Sequence, residues 1–416
     1  EDRQPGGPLF GVQFSQLICS DVTVLDGSSV GPRPLPLGLS ADTGGIPLYK
    51  NGDMVGGIGV ELNGLYTFDR NILDFDDDIE ERIALASSIT FEAPSERTGN
   101  RLFVLGKSLR YTDLIYSDLE PLTAPLADLD PSGLVAIAGF FNGTIRGGTQ
   151  FGDVSSGVAK TVRAGLPAAT LVNASGNERF PARTGAGLGG AELKANEVTA
   201  LLNSALLTAH RARAAIRRPL DTPARVSIWV VDHLGNPLDA PVFGIDVALQ
   251  KARTATFFSS AQARDILVNA GLGGYVSRAQ LLLGADALTG TRAFADRSGG
   301  NLSRPFFPDG IETNGPGPFS LPFPGSEFAA GASSTWSPFN TGLQLDIALS
   351  SIVAPLSGVI PNSCTAGVFG NRLRNGLQIF PGSVPLYRGT TLIGGIGISG
   401  DGIDQDDMIA FYGASR

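Results

Sequence analysis

Few side chains in this sequence have the types and positions to do chemistry. It has two histidines, His210 and His233, and imidazole is both the commonest metal ligand and the natural proton shuttle near neutrality. His233 follows a predicted strand, Val226–Val231, in a turn that aims side chains at solvent or a pocket mouth; His210 flanks the apolar face of a predicted helix. Tyr49 and Tyr387 hold matching places ahead of two hairpin turns. A phenolate can bind iron, but an aromatic ring on a strand more often packs. Asp246 and Lys251 share one predicted helix, as pocket lining or as a solvated ion pair. Cys19 and Cys364 are the only cysteines, leaving one disulfide or two buried thiols open.

Other chemistries lack their patterns. No serine sits in the strand–turn–helix setting of a nucleophile elbow, and no Walker loop or H-E-x-x-H motif occurs. The GLGG strings at 187–190 and 271–274 lack the setting of a dinucleotide site. The acidic run 74–81 lacks the alternating ligands and central glycine of a calcium loop, so it reads as a helix start.

The elements that must position these residues include a long-range repeat. IPLYKNGDMVGGIGV at 46–60 returns 338 positions later as VPLYRGTTLIGGIGI. Pro47, Leu48, Tyr49, Gly56, Gly57, Ile58 and Gly59 recur as Pro385, Leu386, Tyr387, Gly394, Gly395, Ile396 and Gly397. Each copy reads as a β-hairpin; the Asn51-Gly52 pair in the first is a strong turn signal because both residues tolerate positive φ. Glycines weaken a strand and are kept where backbone or ligand must come close. Asp76–Asp78 precede a helix in the first copy, and Asp404, Asp406 and Asp407 introduce a short closing helix, Met408–Tyr412, in the second.

Between the copies, Val198, Leu201, Leu202, Ala205, Ala209, Ala212 and Ile216 predict a helix from Asn196, stopped by Pro219 and Pro223. A strand, a Gly-Asn turn and a return strand follow, then a helix amphipathic through Ala248, Ala252, Ala255 and Phe258. Residues 121–194 read as a Gly/Ala-rich ordered connector with a strand pair near 133–151. From about 270 to 380 runs a Phe/Pro/Gly-rich excursion of the kind that carries function or interfaces.

Composition sets outer limits. With 42% hydrophobic and 17% charged residues the chain is globular, and 416 residues allow two or three domains. A net charge of −9 argues against gripping nucleic acid phosphates. No apolar run reaches the length of a membrane span. The first residue is Glu1 and the only methionines are Met54 and Met408, so the expectation is that something precedes this chain.

Three ordered motifs resemble the GlcG/HbpS-like family, named haem-degrading after its haem-binding members. They are Val230, Val231, Asp232 and Gly235 in a strand-turn; Asp246, Ala248, Lys251, Ala252, Thr254, Ala255 and Phe258 on a helix; and Pro385, Gly394, Ile396, Gly397, Ser399, Gly400, Gln405 and Asp406 in a late hairpin. The second copy, 195–416, departs from the family by its insertion at about 270–380. The first, 1–120, holds only the closing half, with Glu61-Leu62 replacing Ser399-Gly400. LFGVQFSQL near its start resembles SPFNTGLQLDIAL, so the insertion itself reads as duplicated.

The resemblance implies an α/β (α+β) fold: an antiparallel sheet flanked by helices, here in two tandem copies with long Pro/Gly/Phe-rich insertions. It implies higher oligomers and, for some members, non-covalent haem or small-ligand binding; the lack of C-x-x-C-H excludes covalent haem. On that basis His233, His210, Tyr387, Tyr49, Lys251 and Asp246 are the candidate haem or ligand contacts. The leading expectation is ligand binding without turnover by a periplasmic or secreted protein, with Cys19–Cys364 as its disulfide. The rival is a structural or assembly protein whose degenerate domains form a homo-oligomer or a complex with an upstream fragment of the same precursor. A weaker third option is an accessory enzyme of haem breakdown.

Overall fold

The structure is a computed structural model that describes residues 43–62, 74–104, 107–108, 110–119, 150–216, 219, 221–239, 245–304, 307, 316–320, 342–353, 363–365 and 367–415. It combines helices with antiparallel sheets, and the described residues up to 119 and from 150 onward fall into two compact units.

In the first unit, β1 (Gly45–Lys50) and β2 (Asp53–Gly59) form an antiparallel hairpin. Its turn places Asn51 at φ 52° and Gly52 at φ 85°, the left-handed pair that matches strand twist. The helix α1 (Ile79–Ser87) starts at Asp78, whose Oδ1 accepts from the Glu81 amide at 2.8 Å. Ile46, Ala84, Leu85 and Leu114 make a small core. A short pair, β3 (Phe103–Val104) and β4 (Lys107–Ser108), completes the described strands of this unit.

The second unit begins, among the described residues, with a hairpin of β5 (Val158–Arg163) and β6 (Leu166–Leu171) that the connector reading of this region did not separate. Then come α2 (Ala195–Arg211), β7 (Ser227–Asp232), β8 (Pro237–Asp239) and α3 (Ile245–Phe258). The excursion carries α4 (Ala263–Asn269), α5 (Gly273–Leu283), α6 (Asp296–Leu302) and α7 (Gly342–Val353). The chain closes with β9 (Ser383–Arg388), β10 (Thr391–Ser399) and α8 (Ile403–Ala414).

Strands order β8-β7-β10-β9, all antiparallel. Strand alternation sorts side chains between two faces. Ile228, Val230, Ile396 and Ile398 point into one core with Val198, Leu202 and Ala205 of α2 and Ile409 and Ala410 of α8. Trp229 and Val231 point the other way, to Ala248, Leu249 and Ala252 of α3 and Val158 and Leu171 of the β5–β6 hairpin. The sheet is therefore covered on both faces.

Two sequence expectations change. The apolar face of α2 does not reach Ile216, which is 68% exposed; after Ala212 the chain turns extended, with Ala214 donating to Thr222 O and Ala224 to Ala212 O. The excursion is largely helical where described, and Phe294, Phe319 and Phe369 are buried with Phe257 and Phe258 in a core of their own. Those rings serve internal packing, not an exposed interface. The strand pair expected near 133–151 and the LFGVQFSQL stretch lie outside the described residues, apart from Gln150 and Phe151.

The repeated stretch folds twice in the same way. Leu48 pairs with Gly56 and Tyr49 with Met54, leaving Val55 bulged; Leu386 pairs with Gly394 and Tyr387 with Leu392, leaving Ile393 bulged. Each bulge falls at the same place in the repeat.

Candidate functional site

The residues of the three sequence motifs converge where α3 crosses β10. Glycine is demanded there by close approach: a Cβ on Gly397 would lie 2.1 Å from Ala248 O, and one on Gly395 would lie 2.8 Å from Ala252 O. Lys251, one turn along α3 from Ala248, donates through Nζ to Ile398 O at 2.7 Å and to Asp406 Oδ2 at 3.0 Å. Both side chains are almost wholly buried, 2% and 3% exposed. Burial raises the Asp406 carboxyl above its ordinary range, while Lys251 and the amides of Asp401 and Gly400 pull it back.

A second acid lies close by. Asp296, in the first turn of α6, is fully buried, and neither carboxyl oxygen has a hydrogen-bond partner among the described residues. Its amide donates to Ser383 Oγ at 3.2 Å. Burial holds its carboxyl well above the usual range against the opposing charge of Lys251. Two acids thus share one buried cation. The sequence reading passed over Asp296 because the Gly299-Gly300 pair hides its helix.

The strand-turn motif is spent on shape. Asp232 Oδ1 accepts from the amides of Leu234 and Asn236, both at 2.9 Å, and Oδ2 accepts from the Ala186 amide and Asn236 Nδ2. Gly235 sits at φ +80°, and a Cβ there would lie 2.5 Å from Asn371 O. His233 rides in this turn with its Nδ1 buried and without a hydrogen-bond partner. Burial lowers its pKa, Asp232 opposing the effect and Arg372 adding to it, which favours the neutral ring. Neutral imidazole is the ligating form, but Nδ1 is shut inside the turn.

The other candidates stand apart. His210 lines a cleft of ≈ 330 Å³ between α2 and the β5–β6 hairpin, with Phe151, Lys160, Pro167, Leu206 and Arg225; its Nε2 lies 3.4 Å from Pro167 O. Tyr387 is half-buried beside Ser259, and burial raises its phenol. Tyr49 belongs to the first unit, where its amide donates to Phe91 O. Asp246 lies in α3, but its side chain is outside the described residues, as is Cys19; Cys364 is buried. Among the described residues, Lys251 is the candidate that the structure joins to a charged partner, Asp406.

Nδ1 of His233 is enclosed, Tyr387 lies beside Ser259, and the His210 cleft carries two cations, Lys160 and Arg225, at its wall. Among the described residues no group of three or more His, Cys, Asp or Glu side chains is placed to hold a metal ion.

The two hairpins differ in what covers them. Next to Gly394, Gly395 and Gly397 run the backbones of β7 and α3. A Cβ on Gly56 or Gly59 would meet nothing within 4 Å, and Met54 and Val55 are 68% and 58% exposed. Among the described residues β2 pairs only with β1. No protein-family model and no curated protein matches the sequence.

Proposed function

We propose that this chain is a tandem GlcG/HbpS-like protein in which the fold serves assembly outside the cytoplasm rather than catalysis. The observation that carries this reading is the pair of hairpins: one strand and bulge pattern built twice, buried under β7 and α3 in the second unit and open in the first. An open strand edge beside a small-residue face is costly to leave bare and suits strand addition. The motif residues support the same reading. Lys251, Asp406, Asp232 and the β10 glycines are consumed in holding α3 and the turn against the sheet. On the surface of α8, Met408, Phe411 and Tyr412 line a cleft of ≈ 550 Å³ with Arg297, residue types that favour interface cores.

A second reading rests on the His210 cleft, whose apolar floor, imidazole, Lys160 and Arg225 suit a small organic anion. In either reading the Cys19–Cys364 disulfide and the extracytoplasmic setting belong to the proposal. The described residues hold no helix long and apolar enough to cross a membrane.

Light scattering on the purified full chain tests the assembly reading. A mass above the 43.2 kDa of one chain is expected. A single chain at every concentration and in its native extract would contradict it.

A further inference from the structure

The two units match beyond the hairpin. Gly44 and Gly382 both have positive φ, and the carbonyl of each accepts from the residue opposite, Val60 at 3.0 Å and Ile398 at 2.7 Å. A Cβ on Gly44 would meet Val60 O at 2.6 Å and Glu80 Cβ at 3.1 Å; one on Gly382 would meet Ile398 O at 2.5 Å and Asp406 Cβ at 3.0 Å. Glu80 of α1 therefore stands where Asp406 of α8 stands, and like Asp406 it is buried. Each acid also accepts from the backbone just past its strand: Leu62 N donates to Glu80 Oε1 at 2.8 Å, and Asp401 N to Asp406 Oδ1 at 3.2 Å. At Gly382 the third neighbour is Lys251 Nζ, 2.7 Å away, brought by α3.

We propose that β2 and its glycine face are the seat of a strand–helix segment from a separate polypeptide, laid on as β7 and α3 lie on β10. This rests on the assembly reading and names its partner. The chemistry of the seat specifies the segment. The strand must pair antiparallel along Gly56–Gly59, as β7 pairs along Gly394–Ser399. The helix must be small where it crosses Gly57 and Gly59, which calls for alanines four apart, as Ala248 and Ala252 are. A second copy of this chain is a poor donor, because its own β7 and α3 are buried against β10 and lending them would open the second unit.

The test is hydrogen exchange on the full chain, with and without a synthetic peptide spanning Arg225–Ser260, which has the required strand and alanines. The same segment fused ahead of the chain through a Gly/Ser linker is the second probe, in case the peptide precipitates. The expected result is exchange in Val55–Gly59 slowed by about tenfold or more. Gly59→Val in the chain restores fast exchange. Gly59→Val leaves the free chain intact, since nothing lies within 4 Å of a Cβ there. Three results overturn the proposal. They are no protection with either probe, protection that survives Gly59→Val, and slow β2 exchange in the chain alone, which would mean its own residues or a second copy fill the seat. If the mass in solution exceeds one chain while both probes fail, assembly stands and this partner falls.

Discussion

Lys251 of α3 and Asp406 of α8, 155 positions apart, meet at 3.0 Å in a site that water does not reach. The ion pair pins a helix from the middle of the chain to its last helix across the glycine-rich strand. Removing one partner leaves an uncompensated buried charge, which costs about 3–5 kcal/mol. Lys251→Met should therefore destabilise the second unit by that order in urea unfolding, and adding Asp406→Leu should recover much of the loss. A double variant no better than the single one would show that the pair is not the unit of stability.

The glycines make a paired prediction. Gly397→Ala forces a Cβ to 2.1 Å from Ala248 O, so the helix must lift; overpacking of this kind costs about 1–3 kcal/mol or more. Gly59→Ala, the same change in the first copy, meets nothing within 4 Å and should fall within about 0.5 kcal/mol of wild type. Equal losses at the two positions would mean that their surroundings are alike.

Asp296 gives a pH dependence with a definite sign. Burial raises its carboxyl in the folded state, so the native protein binds more protons than the unfolded chain between the two pKa values. Its share of stability is complete below the unfolded value near 3.9 and is lost as pH rises through the folded value. Thermal unfolding followed from pH 4.5 to 8 should show Asp296→Asn gaining on wild type as pH rises. Parallel curves would contradict the burial argument.

Cys364 is buried, and its amide donates to Arg374 O at 2.7 Å. Peptide mapping without reductant should find it joined to Cys19, with the linked peptide lost after reduction. Two alkylated free cysteines in the unreduced protein would rule the bond out.

Much of the sheet could be read from the sequence because its signals are local. Asn51-Gly52 marks a turn, the apolar run Ile228 to Val231 marks a strand, and the repeat exposes both hairpins. What escaped was set by tertiary context. α5 opens on Gly273-Gly274 and α6 contains Gly299-Gly300, so helix propensity is weak where packing of Tyr275, Val276 and Leu302 imposes a helix. The aspartates expected to precede the last helix lie inside it, because α8 starts at Ile403. The motif residues were legible as a set, but their use was not: residue type alone cannot tell a lysine lining a pocket from one neutralising a buried aspartate 155 positions away.

The central claim, that these motif residues build the fold rather than a haem pocket, is tested most directly by titrating the purified full chain with haemin and following the Soret band. The account predicts no saturable shift, and the same response in His233→Ala and His210→Ala. A saturable one-to-one shift that either substitution abolishes would contradict it.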